Sequence, residues 1–183
     1  MGNVRLYGST SGYTELAPPA VAPDGVLSLP SGTGTLATTA DVAAIVPGKI
    51  LQVVNSVITH SATSSSTTYV DTGLFATITP TSATSTILVF INLLHGKYPG
   101  STDSYFQCRL DRNGTVLTTS GPLAYNITSS YLLGMTYGLM YKDSPATTSS
   151  LTYKMQFHNG VNTASVTAGY GGPSSITLME ISA

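Results

Sequence analysis

Three histidines, His60, His95 and His158, are the side chains best suited to proton transfer or metal ligation near neutral pH. None stands in a His-x-x-x-His or His-plus-carboxylate spacing, and each reads as an ordinary residue at the end of a strand. A threefold axis could gather one histidine from each subunit, but nothing in the spacing asks for it. Asp103, Asp111 and Asp143 fall in expected turns, where a carboxylate caps local amides. No two of them pair as an acid–base couple. Gly32-Thr-Gly34 lacks the third glycine and the helix of a nucleotide fingerprint. Gly8-Ser-Thr-Ser-Gly12 has the frame of a nucleophile elbow, yet Thr10 holds the nucleophile position and no helix follows. Cys108 is the single cysteine, which excludes an internal disulfide or thiolate cluster, and its neighbours mark it as a small buried hydrophobe. The expectation is a protein without catalytic residues, cofactor or metal.

Composition points away from two large partner classes. Only 8% of the 183 residues are charged and the net charge is −1, so no basic footprint exists for nucleic acid or an anionic membrane. Ser, Thr, Asn and Gly supply the polarity, and they suit turns and strand faces better than helices. Weak charge repulsion also tolerates association between subunits. No apolar run approaches the roughly 20 residues of a membrane span. Met1-Gly-Asn-Val-Arg5 lacks the apolar segment of a secretory signal, so synthesis in a cytosol is expected. Asn113-Gly-Thr115 and Asn126-Ile-Thr128 are then chance matches to the glycosylation pattern.

The elements follow from period-2 patterning. Leu74, Ala76 and Ile78 alternate with Phe75, Thr77 and Thr79, and Pro80 ends that strand. After a small polar loop, Ile87-Leu-Val-Phe-Ile91 is apolar on both parities, which implies cover on both faces. We expect the second cover to be another subunit, with Ile87, Val89, Phe90 and Ile91 at a trimer interface. Ile50 to Thr59 forms an earlier strand, and 61–67 a Ser/Thr loop. Phe106, Cys108 and Leu110 face inward, while Tyr105, Gln107, Arg109 and Asp111 face outward. Asn113-Gly114 supplies the two positive-φ residues of a type I′ hairpin turn. In 131–141 the large residues Tyr131, Leu133, Met135, Tyr137, Leu139 and Tyr141 share one face, opposite Gly134, Thr136 and Gly138. Leu151, Tyr153, Met155 and Phe157 point inward, and 175–181 is the closing strand. Eight to ten strands with short turns predict an all-β fold, an antiparallel β-sandwich or jelly roll over residues 47–183.

Residues 1–46 differ. Val4-Arg-Leu-Tyr7 and Tyr13-Thr-Glu-Leu16 are short strands, and Ala17-Pro-Pro-Ala-Val-Ala-Pro23 must be extended. Val26 to Leu29 is strand-like, and 39–45 could form one or two helical turns capped by Thr39. This arm has no core of its own, so Val4, Leu6, Tyr7, Tyr13 and Leu16 are expected to dock on a partner surface.

Gly8-Ser-Thr-Ser-Gly-Tyr-Thr-Glu-Leu-Ala-Pro-Pro-Ala20 and Leu27-Ser-Leu-Pro-Ser-Gly-Thr-Gly-Thr-Leu-Ala-Thr38 resemble N-terminal segments of tailed-phage structural proteins. Ser66-Thr-Thr-Tyr-Val-Asp-Thr-Gly-Leu74, Ala76-Thr-Ile-Thr-Pro80 and Ile87-Leu-Val89 resemble the body of fibre-like and head-decorating phage proteins, and Ser174-Ser-Ile-Thr-Leu-Met-Glu-Ile181 their closing strand. The resemblance implies a homotrimeric β-sandwich on a virion, with no catalytic residues to transfer. The absence of shaft repeats favours a capsid decoration (cement) protein, whose partner is the major capsid protein, over a fibre. A short tail fibre or adhesin is the alternative. There the loops 95–103 and 168–173, with Tyr98, Asp103, Tyr125 and Tyr170, would contact a host-surface glycan.

Overall fold

The computed structural model describes residues 4–7, 10–16, 48–98, 104–126, 133–160 and 165–183. The chain divides into two compact units, Met1–Val42 and Ala43–Ala183. In the first, β1 (Val4–Tyr7) and β2 (Tyr13–Leu16) form an antiparallel pair, with Val4 opposite Leu16 and Tyr7 opposite Tyr13. Gly12, at φ 79°, supplies the left-handed residue just before β2. The expected strand at 26–29 and the helical turns at 39–45 lie outside the described residues.

The second unit is built only of strands among its described residues: β3 (Ile50–Ile58), β4 (Ala62–Ser64), β5 (Val70–Ile78), β6 (Thr86–Lys97), β7 (Ser104–Arg112), β8 (Thr115–Thr119), β9 (Leu123–Asn126), β10 (Leu133–Asp143), β11 (Leu151–Asn159), β12 (Val166–Ala168) and β13 (Ser174–Ile181). β12 and β13 pair with successive stretches of β6, and β8 and β9 with successive stretches of β7. β3 and β4 in turn line up along β13 and β12. Each of these pairs is one broken strand, so eleven strands become eight. One sheet then reads β3/β4, β13/β12, β6, β10, and the other β5, β11, β7, β8/β9. In chain order these are strands one, eight, three, six and two, seven, four, five: the nested Greek keys of a jelly roll. The fold is an antiparallel β-sandwich.

The inward parity of each sheet fills the space between them. Leu74, Ile78, Ile87, Val89, Leu93, Phe106, Cys108, Leu110, Tyr153, Phe157, Ile176 and Leu178 belong to one buried cluster. Phe106 stacks on Phe157 with ring centroids 5.5 Å apart. The Asn113–Gly114 turn has φ 50° and 88°, the two positive values that a type I′ hairpin demands.

Several expectations need correction. The 61–67 stretch is not all loop, because Ala62–Ser64 pairs with β12 as β4. Asp111 is buried rather than outward-facing; its Oδ1 accepts the Gly114 amide at 2.9 Å, beside an irregularity between Leu110 and Asp111 in the pairing with β8. Asp143 caps no turn but ends β10, where it takes charged and phenolic donors. His95 does not end its strand, since β6 continues to Lys97. Met135 is 48% exposed although it shares the inward parity of β10, an edge strand that pairs with β6 alone.

Candidate functional site

β6 decides where a surface site can form. Its alternate residues Ile87, Val89, Ile91 and Leu93 are buried, while Leu88, Phe90 and Leu94 are half-buried and Asn92 is exposed on the opposite side. Three of the four residues expected at a trimer interface, Ile87, Val89 and Ile91, therefore face the core of their own sandwich. The apolar run carries no label saying which parity the facing sheet will cover. Only Phe90 of that group points away from the core.

The outward face around Phe90 is assembled by register. Across β3, β13, β6 and β10 one row runs Val53, Met179, Leu88, Lys142; the next, Asn55, Thr177, Phe90, Met140; the third, Val57, Ser175, Asn92, Gly138. Lys142 is the single charge in these rows. Val53 is 54%, Val57 52% and Met140 79% exposed, unusual values for large apolar residues lying on one sheet face. Gly138 leaves a gap in this surface, with no atom within 4 Å of the position a Cβ would take. Phe90, Asn92, Met140, Ser175 and Thr177 border that gap, and together they line a groove of about 390 Å³. Asn55 spans β3 and β13, donating to Thr177 Oγ1 at 2.8 Å, so it is held rather than free to reach a ligand.

At the far end of the same face, Gly96 and Gly134 are direct partners on β6 and β10. The Tyr170 ring lies over both, 3.3 Å and 3.1 Å from where their Cβ atoms would be. Glycines in a strand admit such an approach, and the ring restores the apolar cover they lack. Tyr170 itself remains 37% exposed.

The other outward face, on β5, β11 and β7, is polar and cross-linked. Arg109 donates to Gln156 at 2.8 Å and Gln156 to Asp71 at 2.6 Å, while His158 and Gln107 meet at 2.8 Å. The Arg109 guanidinium also sits 4.1 Å over the Tyr69 ring. Burial opposes ionisation of Asp71, but Gln156 and Lys154 outweigh it and hold its carboxyl below the usual range. These groups satisfy one another's hydrogen bonds.

The buried charges are structural as well. Glu180 accepts Gln52 Nε2 at 2.6 Å and both the amide and hydroxyl of Thr81 at 2.7 Å. Burial alone would raise its pKa, yet the hydrogen bonds from Gln52 and Thr81 outweigh it and the carboxyl falls to about 2. Cys108 is fully buried, which pushes its thiol up to about 12 and makes it inert. His95 is 1% exposed, stacked on Phe106 with centroids 4.5 Å apart, and its Nε2 has no partner. Burial lowers its pKa, against a weak pull from the Leu93 carbonyl. Among the described residues no three His, Cys, Asp or Glu side chains gather as metal ligands.

The remaining expected contacts scatter. Tyr98 is 40% exposed at the end of β6. Tyr125 lies on β9, and Asp103 falls outside the described residues. Of the expected contact loops, residues 95–97 belong to β6 and Ala168 to β12. Val4, Leu6, Tyr7, Tyr13 and Leu16 lie on the β1–β2 pair. The residues missed were Val53, Val57, Met140 and Met179. A signal did exist in β3, where valines occupy both parities at 53, 54 and 57.

No protein-family model matches the chain, and no curated protein matches it. Among solved structures it is similar to the infectious bursal disease virus VP2 subviral particle, at 12% identity and TM-score 0.38, over 72% of this chain and 38% of that one. It is likewise similar to the structure of the infectious bursal disease virus Gx strain, at 12% identity and TM-score 0.38, over 95% of this chain and 47% of that one. The chain thus spans less than half the length of the solved structures it matches. Likeness at this level says nothing of what the chain does.

Proposed function

We propose that this chain is a non-enzymatic structural protein of a phage particle: a homotrimeric head-decoration (cement) subunit. In this reading residues 1–46 anchor it to the major capsid protein and the jelly roll is displayed outward. The observation that carries the reading is the sheet face around Phe90, uncharged except for Lys142 in its rows and with Val53, Val57 and Met140 exposed on it. An exposed apolar face of this kind marks an association surface rather than a catalytic one. The polar groups elsewhere, by contrast, are consumed in holding strands together. Light scattering of the purified chain should give about three times 18.9 kDa. Labelling of intact particles should place it on the head, and a chain starting at Pro47 should stay trimeric but fail to decorate capsids lacking the native protein. A monomer at micromolar concentration would overturn the trimer, and decoration by the shortened chain would overturn the anchor.

The second reading, a short tail fibre or adhesin, draws on Tyr170, whose ring is backed by Gly96 and Gly134 and keeps an open side on which a sugar ring could stack. A glycan array would test it. Binding lost in Tyr170→Ala with assembly intact favours the adhesin, and no glycan bound by the native trimer removes it.

A further inference from the structure

We infer that copies of this chain meet through the Phe90 face by a knob and groove, the Met140 side chain of one copy entering the Gly138 groove of the next. The inference deepens the homotrimer proposed above by naming the surface and the side chains that build it.

Two features on one face carry it. Met140 projects from β10 at 79% exposure, a flexible apolar side chain on the rim of the groove. Gly138, two residues away on the same strand and parity, leaves the groove of about 390 Å³ floored by Phe90 and flanked by Ser175 and Thr177. An apolar projection and an uncharged recess thus lie on one surface. Around a threefold axis each copy gives its knob to the next and receives the knob of the one before, the head-to-tail contact that closes a ring of identical subunits. Charge selects the same occupant. The rows around the groove hold only Lys142, at their corner and outside the groove lining, so another copy of this face brings a single cation, at its edge, and no other charge to bury. Phe90, the one expected interface residue that escapes the core, lies under the contact.

The test uses the full-length chain. Gly138→Leu fills the groove, and because no atom lies within 4 Å of the added Cβ the subunit should fold unchanged. Met140→Glu places a charge on the knob, where the free subunit tolerates it at 79% exposure. Each should weaken association at least about tenfold by sedimentation at graded concentration, equivalent to about 1.4 kcal/mol. Far-UV circular dichroism should be unchanged. Val116→Glu, at 44% exposure on the other sheet, should assemble normally. A measurement that does not rely on weakening is cross-linking. Gly138→Cys and Met140→Cys proteins, mixed and oxidised, should join to each other in preference to themselves. If both substitutions leave the native mass intact, or the cysteine pair does not cross-link in a trimer of native mass, the knob and groove are wrong while the trimer stands. If the native chain is monomeric, both fall.

Discussion

Arg112 at the end of β7 reaches Asp143 at the end of β10, Nη1 to Oδ2 at 2.5 Å, and so ties one sheet of the sandwich to the other. The same Oδ2 accepts the Tyr153 hydroxyl at 2.6 Å. Burial lowers the Arg112 pKa, but Asp143 outweighs it and the net shift is upward; burial and then Asp143 raise that of Tyr153. Removing the carboxylate would leave a half-buried guanidinium and a buried phenol without their acceptor. Asp143→Ala should therefore cost about 3 kcal/mol in urea unfolding at fixed protein concentration, below the upper range for a buried pair because the Arg112 side chain keeps 21% exposure. Tyr153→Phe removes a donor but leaves the ion pair, and about 1 kcal/mol is expected. Equal losses for the two substitutions would show that the ion pair adds nothing.

The hairpin turn gives a purely conformational prediction. Gly114 has φ 88° and no atom within 4 Å of an added Cβ, so its substitution meets strain without a clash. Gly114→Val should destabilise by more than about 1 kcal/mol, since a β-branched residue resists positive φ. Gly121→Ala, with the same open space and a φ outside the left-handed region, is the control and should change stability by less than about 0.5 kcal/mol. Similar losses at both sites would mean that the turn is not of the primed type.

How much of this was legible depends on whether the signal was local. Phe106, Cys108 and Leu110 alternate with polar neighbours, as do Leu151, Tyr153, Met155 and Phe157, and all seven are buried as the pattern requires. Asn113-Gly114 announced its turn for the same reason: two adjacent residues contain the whole instruction. The Ile87-to-Ile91 run was ambiguous because either parity could face the core; pairing with β13 and β10 and the position of the facing sheet decide it. β4 and β12, only three residues each, are too short to show a period. The Tyr170 contact joins positions 96, 134 and 170, which only the register of β6 with β10 and the path of the 169–173 loop bring together.

Glu180 predicts an acid limb. Its folded pKa, about 2, lies below the unfolded value near 4.5, so the unfolded chain takes up the proton first. The stability it contributes is present above the unfolded pKa and is lost as pH falls from about 4.5 through about 2. Glu180→Gln should melt lower than the native chain at pH 7, because the Thr81 amide and hydroxyl lose their anionic acceptor. Its melting temperature should also fall less steeply between pH 5 and pH 2. Parallel curves for the two proteins would show that Thr81 and Gln52 do not need the charge.

His95 should act in a different window, and the sign is set by its surroundings. Protonation would place a cation between the sheets, against the Phe106 ring, with Nε2 unpartnered. Among the described residues the groups facing it bring no compensating anion. Lys97, two residues along and on the same parity, is fully buried; Cys108, across the sandwich on β7, stays a neutral thiol with its pKa pushed up to about 12. β10 places Met135 beside His95 and β12 places Ala168, neither titratable. Because burial lowers the folded pKa below the ordinary 6.5, the unfolded chain protonates first and stability falls as pH drops below about 6.5. The native melting temperature should thus be lower at pH 5 than at pH 7.5, well above the range in which Glu180 titrates. His95→Leu keeps an apolar side chain over Phe106 and removes the titration, so its difference between those two pH values should shrink. An undiminished difference in His95→Leu would assign the effect to another group and leave His95 a packing residue alone.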